Sequence, residues 1–394
     1  MKEGWEYKKL KEVGLTQTGT TPSKQIKAYY GGDIPFIRPA ELNVDQNGGV
    51  QYDSELKLTE EGALKSRVIK ANSVLMCCIG SVGKTGYTLN NVTCNQQINT
   101  LTPYDNYNPR FVYYALISPF FQQEVIKIAN SAKATLPIIS KGKWEILSIP
   151  VPPLSEQQSI VVYLDAAFAK IDAMKANAEK RLNEAKALFQ ASLKEMLEPK
   201  EGWKEKTLKD ISIISGNYGL SVPSTEYNGV RYLRITDITE WGDLNDEKVS
   251  AKLDEEKEQE LLEEGDLLFA RTGATVGKTL MYKEEFGKCL FAGYLIRYRL
   301  NKKMVLPNFM FYITHSDNYY KWVLENQKAA AQPNISAKLY NEYIVSYPSL
   351  SEQQSIVTTL DSLKSKVDRL QENYEKISQE CDALKQAILR QVFE

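Results

Sequence analysis

The sequence predicts a mixed α/β protein in which a globular module followed by a long helix occurs twice. The octapeptide Leu-Ser-Glu-Gln-Gln-Ser-Ile-Val stands at residues 154–161 and again at residues 350–357 of the 394 residues. Each copy opens a long segment with the apolar spacing of a coiled coil, and similar strand and helix signals precede both copies. We therefore predict two mixed α/β modules joined by two long antiparallel coiled-coil helices, related by a pseudo-twofold internal repeat. The predicted boundaries are 1–150, 151–200, 201–349 and 350–394.

Both octapeptides carry the signals of a helix start. Each follows proline and opens a segment that contains no glycine. The first serine and second glutamine of each copy have the spacing of a capping box, in which each side chain bonds the other residue's backbone amide. These pairs are Ser155 with Gln158 and Ser351 with Gln354.

The segments that follow have the length and periodicity of paired helices. Apolar residues alternate steps of four and three from Ile356 to Val392, and a similar series from Ile160 to Phe189 has one extra step of four after Ala178, like a stutter. A helix of roughly forty residues is about 60 Å long, which exceeds the core of one small domain. We therefore predict that the two helices pair with each other; two separate helices, each packed on its own module, are the alternative.

The two modules have matching strand and helix signals in the same order. The first has strand-like runs, an aromatic helical stretch and a final apolar run at 34–38, 74–78, 98–102, 111–128 and 146–151, and the second at 230–235, 266–271, 290–300, 309–324 and 343–347. Residues 34–42 align with 230–238, and 81–85 with 275–279, whereas the loops 16–33 and 213–229 agree poorly. Similar frames with dissimilar loops predict two modules that read different things.

Composition excludes several classes of protein. No apolar run approaches the length of a membrane span, no signal peptide is evident, and the five cysteines fit neither a disulfide framework nor a zinc site. A protein without membrane association, in a reducing cytoplasm, is the simplest interpretation. The single histidine, His315, leaves little imidazole for acid–base or nucleophilic chemistry, and we predict a structural role for it.

Two other features point away from an enzyme. Cys78 and Thr272 stand where a phosphate-binding P-loop requires glycine before the Gly-Lys stretches, so both turns fail that spacing. A turn that presents amides and a lysine to a phosphate, and a plain structural turn, remain open. The acidic run 254–264 is predicted to be a solvated helix face. We predict no catalytic residue, no metal and no cofactor.

The duplicated architecture resembles a known family. Two variable modules alternate with two helices that begin Pro-x-Leu-Ser-Glu-Gln-Gln, and the modules carry segments such as 20–24, 29–38 and 232–238. Over essentially the whole chain, this resembles the specificity (S) subunit of a type I restriction-modification enzyme.

That resemblance implies a non-catalytic protein with several partners. Modules 1–150 and 201–349 would be target recognition domains, each reading one half of an asymmetric split site in double-stranded DNA. The helices would form a spacer that docks two methyltransferase (M) subunits, with endonuclease-translocase restriction (R) subunits joining that core. Since the net charge is only −1, partners would supply much of the positive field. The specificity subunit of a related multisubunit system, a coiled-coil protein-binding adaptor, and a nuclease or nucleotide hydrolase are the alternatives.

Candidate DNA contacts follow from side-chain chemistry, with a structural role as the alternative for each. Asn and Gln pair with adenine, Arg and Lys with guanine, and hydroxyls hold phosphates. In the first module the candidates are Thr20, Thr21, Ser23, Lys24, Tyr29, Tyr30, Arg38, Ser81, Lys84, Asn95, Gln96 and Gln97. In the second they are Tyr218, Ser221, Ser224, Arg234, Arg271, Thr272, Thr275, Lys278, Tyr294 and Arg297.

Two pairs of candidates occupy matching positions in the repeat. Arg38 matches Arg234, and Lys84 matches Lys278 in a repeated Gly-Lys-Thr turn. A residue shared by two modules suits a common frame or a phosphate contact better than the different bases of two half-sites. We therefore predict a shared frame or phosphate role for the arginines and phosphate contacts for the lysines.

Overall fold

The computed structural model describes residues 4–42, 48–54, 56–131, 136–251, 261–327 and 333–394. Most of the acidic run 254–264 therefore lies outside the described residues. The chain divides into two compact units: unit 1 comprises 1–180 with 372–394, and unit 2 comprises 181–371. The division passes through both long helices, so each unit combines one module with part of each helix.

The two units contain matching series of elements. Unit 1 contains β1 (Glu6–Lys9), α1 (Leu10–Val13), β2 (Gly14–Thr18), β3 (Tyr30–Ile37), β4 (Lys57–Leu58), α2 (Glu60–Leu64), β5 (Val68–Ile69), β6 (Ser73–Cys77), β7 (Thr85–Thr88), β8 (Val92–Cys94), β9 (Ile98–Pro103), α3 (Pro109–Ile117), α4 (Pro119–Asn130), α5 (Lys141–Trp144) and β10 (Ser148–Val151), followed by the long helix α6 (Leu154–Leu197). Unit 2 contains β11 (Lys204–Thr207), β12 (Ser212–Tyr218), β13 (Ser224–Thr225), β14 (Arg231–Leu233), β15 (Ser250–Ala251), β16 (Leu267–Ala270), β17 (Thr279–Met281), β18 (Cys289–Phe291), β19 (Leu295–Leu300), α7 (Pro307–Ile313), α8 (Asp317–Asn326), α9 (Ala337–Asn341) and β20 (Ile344–Tyr347), followed by the long helix α10 (Leu350–Phe393).

Sheet topology confirms the internal repeat. Unit 1 has a four-stranded sheet in the order β2-β9-β6-β7, and unit 2 has the same sheet in the order β12-β19-β16-β17. Beside it, β3 pairs in parallel with β8 in unit 1, and β14 pairs in parallel with β18 in unit 2. The first strand of each module pairs antiparallel with its last strand, β1 with β10 and β11 with β20. Each module is thereby closed immediately before a long helix begins.

Three predicted segments are interrupted in the structure. The helical stretch 111–128 is two helices, because Ser118 leaves the helical backbone and its hydroxyl caps α4, which begins with Pro119. Ser316 likewise caps α8 and divides the stretch 309–324. The apolar run 290–300 is two strands, β18 and β19, because the chain turns between them at residues 292–294.

The predicted capping boxes are wrong. The long helices begin at Leu154 and Leu350, so Ser155 and Ser351 lie inside the first turn. In the second helix the hydroxyl of Ser349 accepts a hydrogen bond from the amide of Glu352 at 3.3 Å. In the second helix the cap therefore lies two residues before the predicted serine, at the end of the proline-containing link from the last strand.

The antiparallel pairing of the long helices is confirmed within each unit. In unit 1 the amine of Lys385 bonds the carboxylate of Asp172, and in unit 2 Lys186 Nζ donates to Gln371 Oε1 at 2.8 Å. Residue numbers increase along α6 from 172 to 186 while those of the partners in α10 decrease from 385 to 371, so the two helices run antiparallel. The apolar seams join the core of the local module: Leu164, Phe168, Ile171, Cys381, Leu389, Val392 and Phe393 in unit 1, and Phe189, Leu193, Leu197, Ile356, Val357, Leu360 and Val367 in unit 2.

Two predicted seam positions are exposed. Met174 is 59% exposed and Leu384 is 47% exposed. Near the end of α10 the buried face changes, because the last turns pack on the module as well as on α6. The ring of Phe393, for example, lies 5.5 Å from that of Phe111 in α3. No helix in the described part of the chain is long and apolar enough to cross a membrane.

Candidate nucleic-acid interface

The first glutamine of each octapeptide has a structural role that the sequence did not reveal. Gln157 and Gln353 are buried. Gln157 Oε1 accepts from the amide of Asn108 at 2.8 Å, and its Nε2 donates to Pro152 O at 2.9 Å. Gln353 Oε1 accepts from the amide of Leu306 at 2.9 Å, and its Nε2 donates to Met304 O and Pro348 O. These contacts fix each long helix against the loop that opens α3 or α7.

A second repeated contact lies two turns further along. The Tyr114 hydroxyl bonds Asp165 in unit 1, and the Tyr312 hydroxyl donates to Asp361 Oδ1 at 2.6 Å in unit 2. Both carboxylates belong to the long helices and both phenols to the helical layer of the module. These repeated contacts therefore orient each module on its helix.

An equivalent backbone corner is built beside the four-stranded sheet in each unit. We call corner 1 the segments 19–24, 38–41, 78–84 and 95–97, and corner 2 the segments 219–224, 234–237, 271–278 and 292–294. Backbone hydrogen bonds hold corner 1 from Gly19 N to Ile98 O, Thr20 N to Cys94 O, Asn95 N to Ile37 O and Cys78 N to Gln97 O. The counterparts in corner 2 run from Gly219 N to Leu295 O, Leu220 N to Phe291 O, Ala292 N to Leu233 O and Arg271 N to Tyr294 O. Because backbone groups make these bonds, they align the corners independently of side-chain type.

One glycine in each corner is required by a close approach of two backbones. A Cβ atom on Gly19 would lie 2.2 Å from Asn95 O, and one on Gly219 would lie 2.2 Å from Phe291 O. Neither position can carry a side chain without moving the strands. Sequence reasoning missed both glycines, although each follows the first strand of its four-stranded sheet in the repeat.

The matching arginines form the same contact in both corners. Arg38 and Arg234 each use backbone amide and guanidinium to bond the carboxylate three residues later, Glu41 or Asp237. The hydrogen bond to Asp237 raises the pKa of Arg234. Arg234 also pairs with Glu247 at 3.1 Å. These side chains brace the turn after β3 or β14, and a phosphate contact, the other predicted role, stays a prediction.

The matching lysines have the same backbone but different side-chain contacts. Gly83 N donates to Cys77 O and Gly277 N donates to Ala270 O, so the two turns superimpose in their hydrogen bonding. Lys84 Nζ donates to Pro39 O at 2.9 Å, which ties the turn to the arginine segment of corner 1. For Lys278 Nζ, no hydrogen bond or ion pair is found within the described ranges. The phosphate role stays a prediction for both, and the structure favours Lys278.

Amide side chains form the polar part of corner 1. Asn95 is buried and donates from Nδ2 to Gln97 Oε1 at 2.9 Å, while the Gln97 amide donates to Asn95 Oδ1 at 3.1 Å. The exposed Gln96 bonds the hydroxyl of Thr21. Asn95 thus fixes the loop, Gln96 is the exposed amide, and Gln97 is half-buried with its Oε1 held by Asn95.

The remaining first-module candidates divide between exposed and supporting positions. Ser23, Lys24 and Ser81 are exposed. The Thr20 carbonyl accepts from Ser66 Oγ, and the Tyr30 hydroxyl donates to Pro22 O at 2.7 Å. Tyr29 is buried, so it supports the module.

Corner 2 contains a cleft of about 770 Å³ where predicted residues from separate segments meet. Its lining includes the candidates Ser221, Ser224, Arg234, Arg271 and Tyr294. Tyr218 lies next to it, with the Arg271 guanidinium 4.8 Å from its ring centre. Thr272, Thr275 and Lys278 follow Arg271 on the adjoining turn, where the Thr275 hydroxyl donates to Thr272 O at 3.1 Å.

The candidate Arg297 is buried away from the lining of this cleft. Arg297 is 5% exposed and donates to Leu261 O at 3.4 Å near the carboxylate of Asp266. It lies on β19, an inner strand of the four-stranded sheet, and its side chain is buried.

The cysteines and the histidine are buried as well. Desolvation raises the pKa of Cys78 to about 12 and that of Cys289 to about 11, which leaves both thiols protonated and unreactive at neutral pH. Burial lowers the pKa of His315, whose ring stacks on Trp241 at 4.9 Å. No group of His, Cys, Asp and Glu able to hold a metal ion is found among the residues that the structure describes.

Each unit combines the same backbone frame with different exposed side chains and packs its module on segments of both long helices, which is the architecture of a duplicated recognition protein. The chain belongs to the type I restriction modification DNA specificity domain family, whose model matches residues 2–184 and 200–379.

Related sequences and solved structures are similar to this protein over most of its length. The sequence is 24% identical to the type I restriction enzyme EcoBI specificity subunit of Escherichia coli, over 93% of this chain and 76% of that protein. It is 24% identical to the StySPI specificity subunit of Salmonella potsdam, over 99% of this chain and 89% of that protein. The fold resembles a chain from a type I R-M system solved for its complex assembly (TM-score 0.77, 20% identity, covering 100% of this chain and 98% of that one). It also resembles the HsdS subunit of Thermoanaerobacter tengcongensis (TM-score 0.58, 20% identity, covering 100% and 97%).

Proposed function

We propose that this chain is the non-catalytic DNA-recognition subunit of a type I restriction-modification complex, and that corners 1 and 2 each read one half of a bipartite site. The observation that carries the proposal is the equivalence of the two corners. Gln96 and Gln97 occupy the backbone positions of Gly293 and Tyr294, and Cys78 occupies that of Arg271. A shared frame with different exposed groups is what two unlike half-sites require, so the target is asymmetric.

The partners follow from the same proposal. Methyltransferase subunits, two in number, dock on the spacer helices, and restriction subunits join that core in the cytoplasm. A chain with a net charge of −1 has little electrostatic attraction for DNA by itself, because nonspecific affinity comes mainly from neutralised phosphates. Methylation, cleavage and most of the positive field belong to the partners.

The test is methylation mapping of genomes with and without this gene, followed by module exchange. Residues 16–149 are replaced by the corresponding segment of a relative with a different target. We expect a methylated bipartite motif that needs this gene, and an exchange that changes one half while the other half and the spacing stay the same. The proposal is contradicted if deletion of the gene leaves every methylated motif in place, or if the exchange changes both halves of the motif.

A further inference from the structure

Arg271 is the long cationic side chain that corner 2 adds to the common frame. Its amide donates to Tyr294 O at 3.0 Å and its carbonyl accepts from Ile335 N at 2.9 Å. In corner 1 the same two bonds are made by Cys78, whose amide donates to Gln97 O and whose carbonyl accepts from Ile139 N. Cys78 is only 4% exposed. The backbone frame therefore does not require a guanidinium at this position, so the arginine in corner 2 has a role other than building the frame.

Among the described residues, the side chain of Arg271 is oriented by groups other than carboxylates. Its guanidinium lies over the ring of Tyr218, and Nε donates to Asn334 Oδ1 at 3.3 Å. Tyr218 is itself anchored, because its hydroxyl accepts from the amide of Ala337 at 2.9 Å. Stacking and one hydrogen bond fix the plane of the guanidinium while leaving its far edge exposed to the cleft.

Every other arginine of the second module is bonded at its terminal nitrogens. Nη2 of Arg231 donates to Asn245 O and Glu247 O, and Nη2 of Arg234 to Asp237. Nη2 of Arg299 donates to Asp266, and Nη1 of Arg297 to Leu261 O. For Nη1 and Nη2 of Arg271, no protein partner is found in the part of the chain that the structure describes. Two parallel donor groups therefore remain available.

The cleft around those donors suits a ligand edge that carries hydrogen-bond acceptors. Its described lining contains the two arginines Arg234 and Arg271, the hydroxyls of Ser221 and Ser224, the 60% exposed ring of Tyr294, and no carboxylate. Arg234 is occupied by Asp237, so Arg271 is the lining cation with free donors. In the major groove guanine presents two adjacent acceptors, O6 and N7, which match two donors on one arginine.

We infer that Arg271 reads a guanine in the half-site of unit 2, held in position by Tyr218 and Asn334. The inference rests on the proposed function and adds to it the residue and the base. A phosphate contact is the alternative for a free guanidinium, and the two differ in sequence dependence and in salt dependence.

The experiment uses the assembled methyltransferase with Arg271→Ala and Arg271→Cys, the second being the residue that corner 1 carries at this position. Binding is measured on duplexes in which each base pair of the mapped site is changed in turn, at several salt concentrations. We expect the variants to bind the cognate duplex roughly 5- to 150-fold more weakly, the range for one bidentate arginine–guanine pair. They should accept any base at one G·C position and keep the salt slope of the unchanged protein.

Further variants test the orientation. Arg271→Lys keeps the charge but loses the planar pair of donors, so it should discriminate less well than the unchanged protein and better than Arg271→Ala. Tyr218→Phe keeps the ring and should retain more discrimination than Tyr218→Leu, which removes it. Recognition of the half-site of unit 1 by the same complex is the internal control for folding.

The outcomes separate the two claims. If the unchanged complex shows no sequence preference, the proposed function fails. If it reads a bipartite site but the Arg271 variants discriminate normally at every position, or relax a position other than G·C, only the arginine assignment fails. An equal loss on all duplexes with a salt slope lowered by about one unit would identify a phosphate contact and overturn the assignment.

Discussion

Replacing Gln353 by leucine tests whether the octapeptide holds each module on its helix. The side chain is 0% exposed, and its amide group bonds Met304 O, Leu306 N and Pro348 O. Leucine has a similar volume and removes only the polar atoms. Three backbone groups therefore lose their partner without a large cavity being opened.

The contacts give the expected magnitude. A hydrogen bond of this kind contributes about 1 kcal/mol net, and more when its removal leaves a buried group unsatisfied. Gln353→Leu should therefore lower the free energy of unfolding of unit 2 by about 3 kcal/mol. Gln157 makes two such bonds, to Asn108 N and Pro152 O, so Gln157→Leu should cost unit 1 about 2 kcal/mol.

The chain supplies a matched control at the next position. Gln354 is exposed and its side chain donates to Thr358 Oγ1 at 3.4 Å, so Gln354→Leu should change stability by less than about 0.5 kcal/mol. Urea unfolding of the full chain measures the free energies, and hydrogen exchange at the start of α3 and of α7 assigns the loss to a unit. If Gln353→Leu and Gln354→Leu have the same effect, the buried amide does not support the helix junction.

Two further predictions concern the turn lysines and His315. Lys278→Ala should weaken binding to all duplexes alike and lower the slope of log affinity against log salt by about one unit, whereas Lys84→Ala should lower it less, because Lys84 Nζ is bonded to Pro39 O. A salt titration of both variants on matched and mismatched duplexes checks this, and relaxation of a single base position by either variant would mark that lysine as a base reader. Burial lowers the pKa of His315 below its usual 6.5, so the unfolded state binds a proton that the folded state resists, and stability should fall as the pH drops below 6.5 by at most about 1.4 kcal/mol per pH unit. Because the chain has one histidine, His315→Phe should remove this part of the pH dependence between pH 7.5 and 5.5 in urea titrations; equal pH dependence in both proteins would contradict it.

The helices and core strands could be predicted from the sequence because hydrophobic periodicity and sequence duplication reflect the local backbone conformation. The heptad series, the octapeptide and the alternation of strand signals depend on neighbours within a few turns, so they located α6, α10 and most core strands. Gln353 shows the limit: its partners Met304 and Leu306 lie 49 and 47 residues earlier, and the local spacing drew attention to the next residue, Gln354, as part of a cap. Met174 and Leu384 fit the heptad count, yet they are exposed. Near Leu384 the last turns of α10 also pack on the module, which shifts the buried face of that helix.

The sequence predicted which residue types belong to the candidate site, but not which of those residues lie together in the folded protein. Ser221, Arg271 and Tyr294 meet in one cleft, although they come from a loop, a strand end and a turn that only the folded sheet brings together. Tyr29 and Arg297 have suitable chemistry but are buried. The different contacts of Lys84 and Lys278 could not be predicted, because their turns have nearly the same sequence and the partner carbonyl belongs to another segment.

The division of the helices between the units has a consequence for the order of synthesis. Residues 372–394 belong to unit 1, and Cys381, Leu389 and Phe393 complete its core beside Phe111. A ribosome makes these residues only after all of unit 2, so unit 2 can close while the first module still waits with an open apolar face. A premature stop in the second helix therefore damages the module that was translated first, and exposes its unfinished surface to aggregation or to chaperones during elongation.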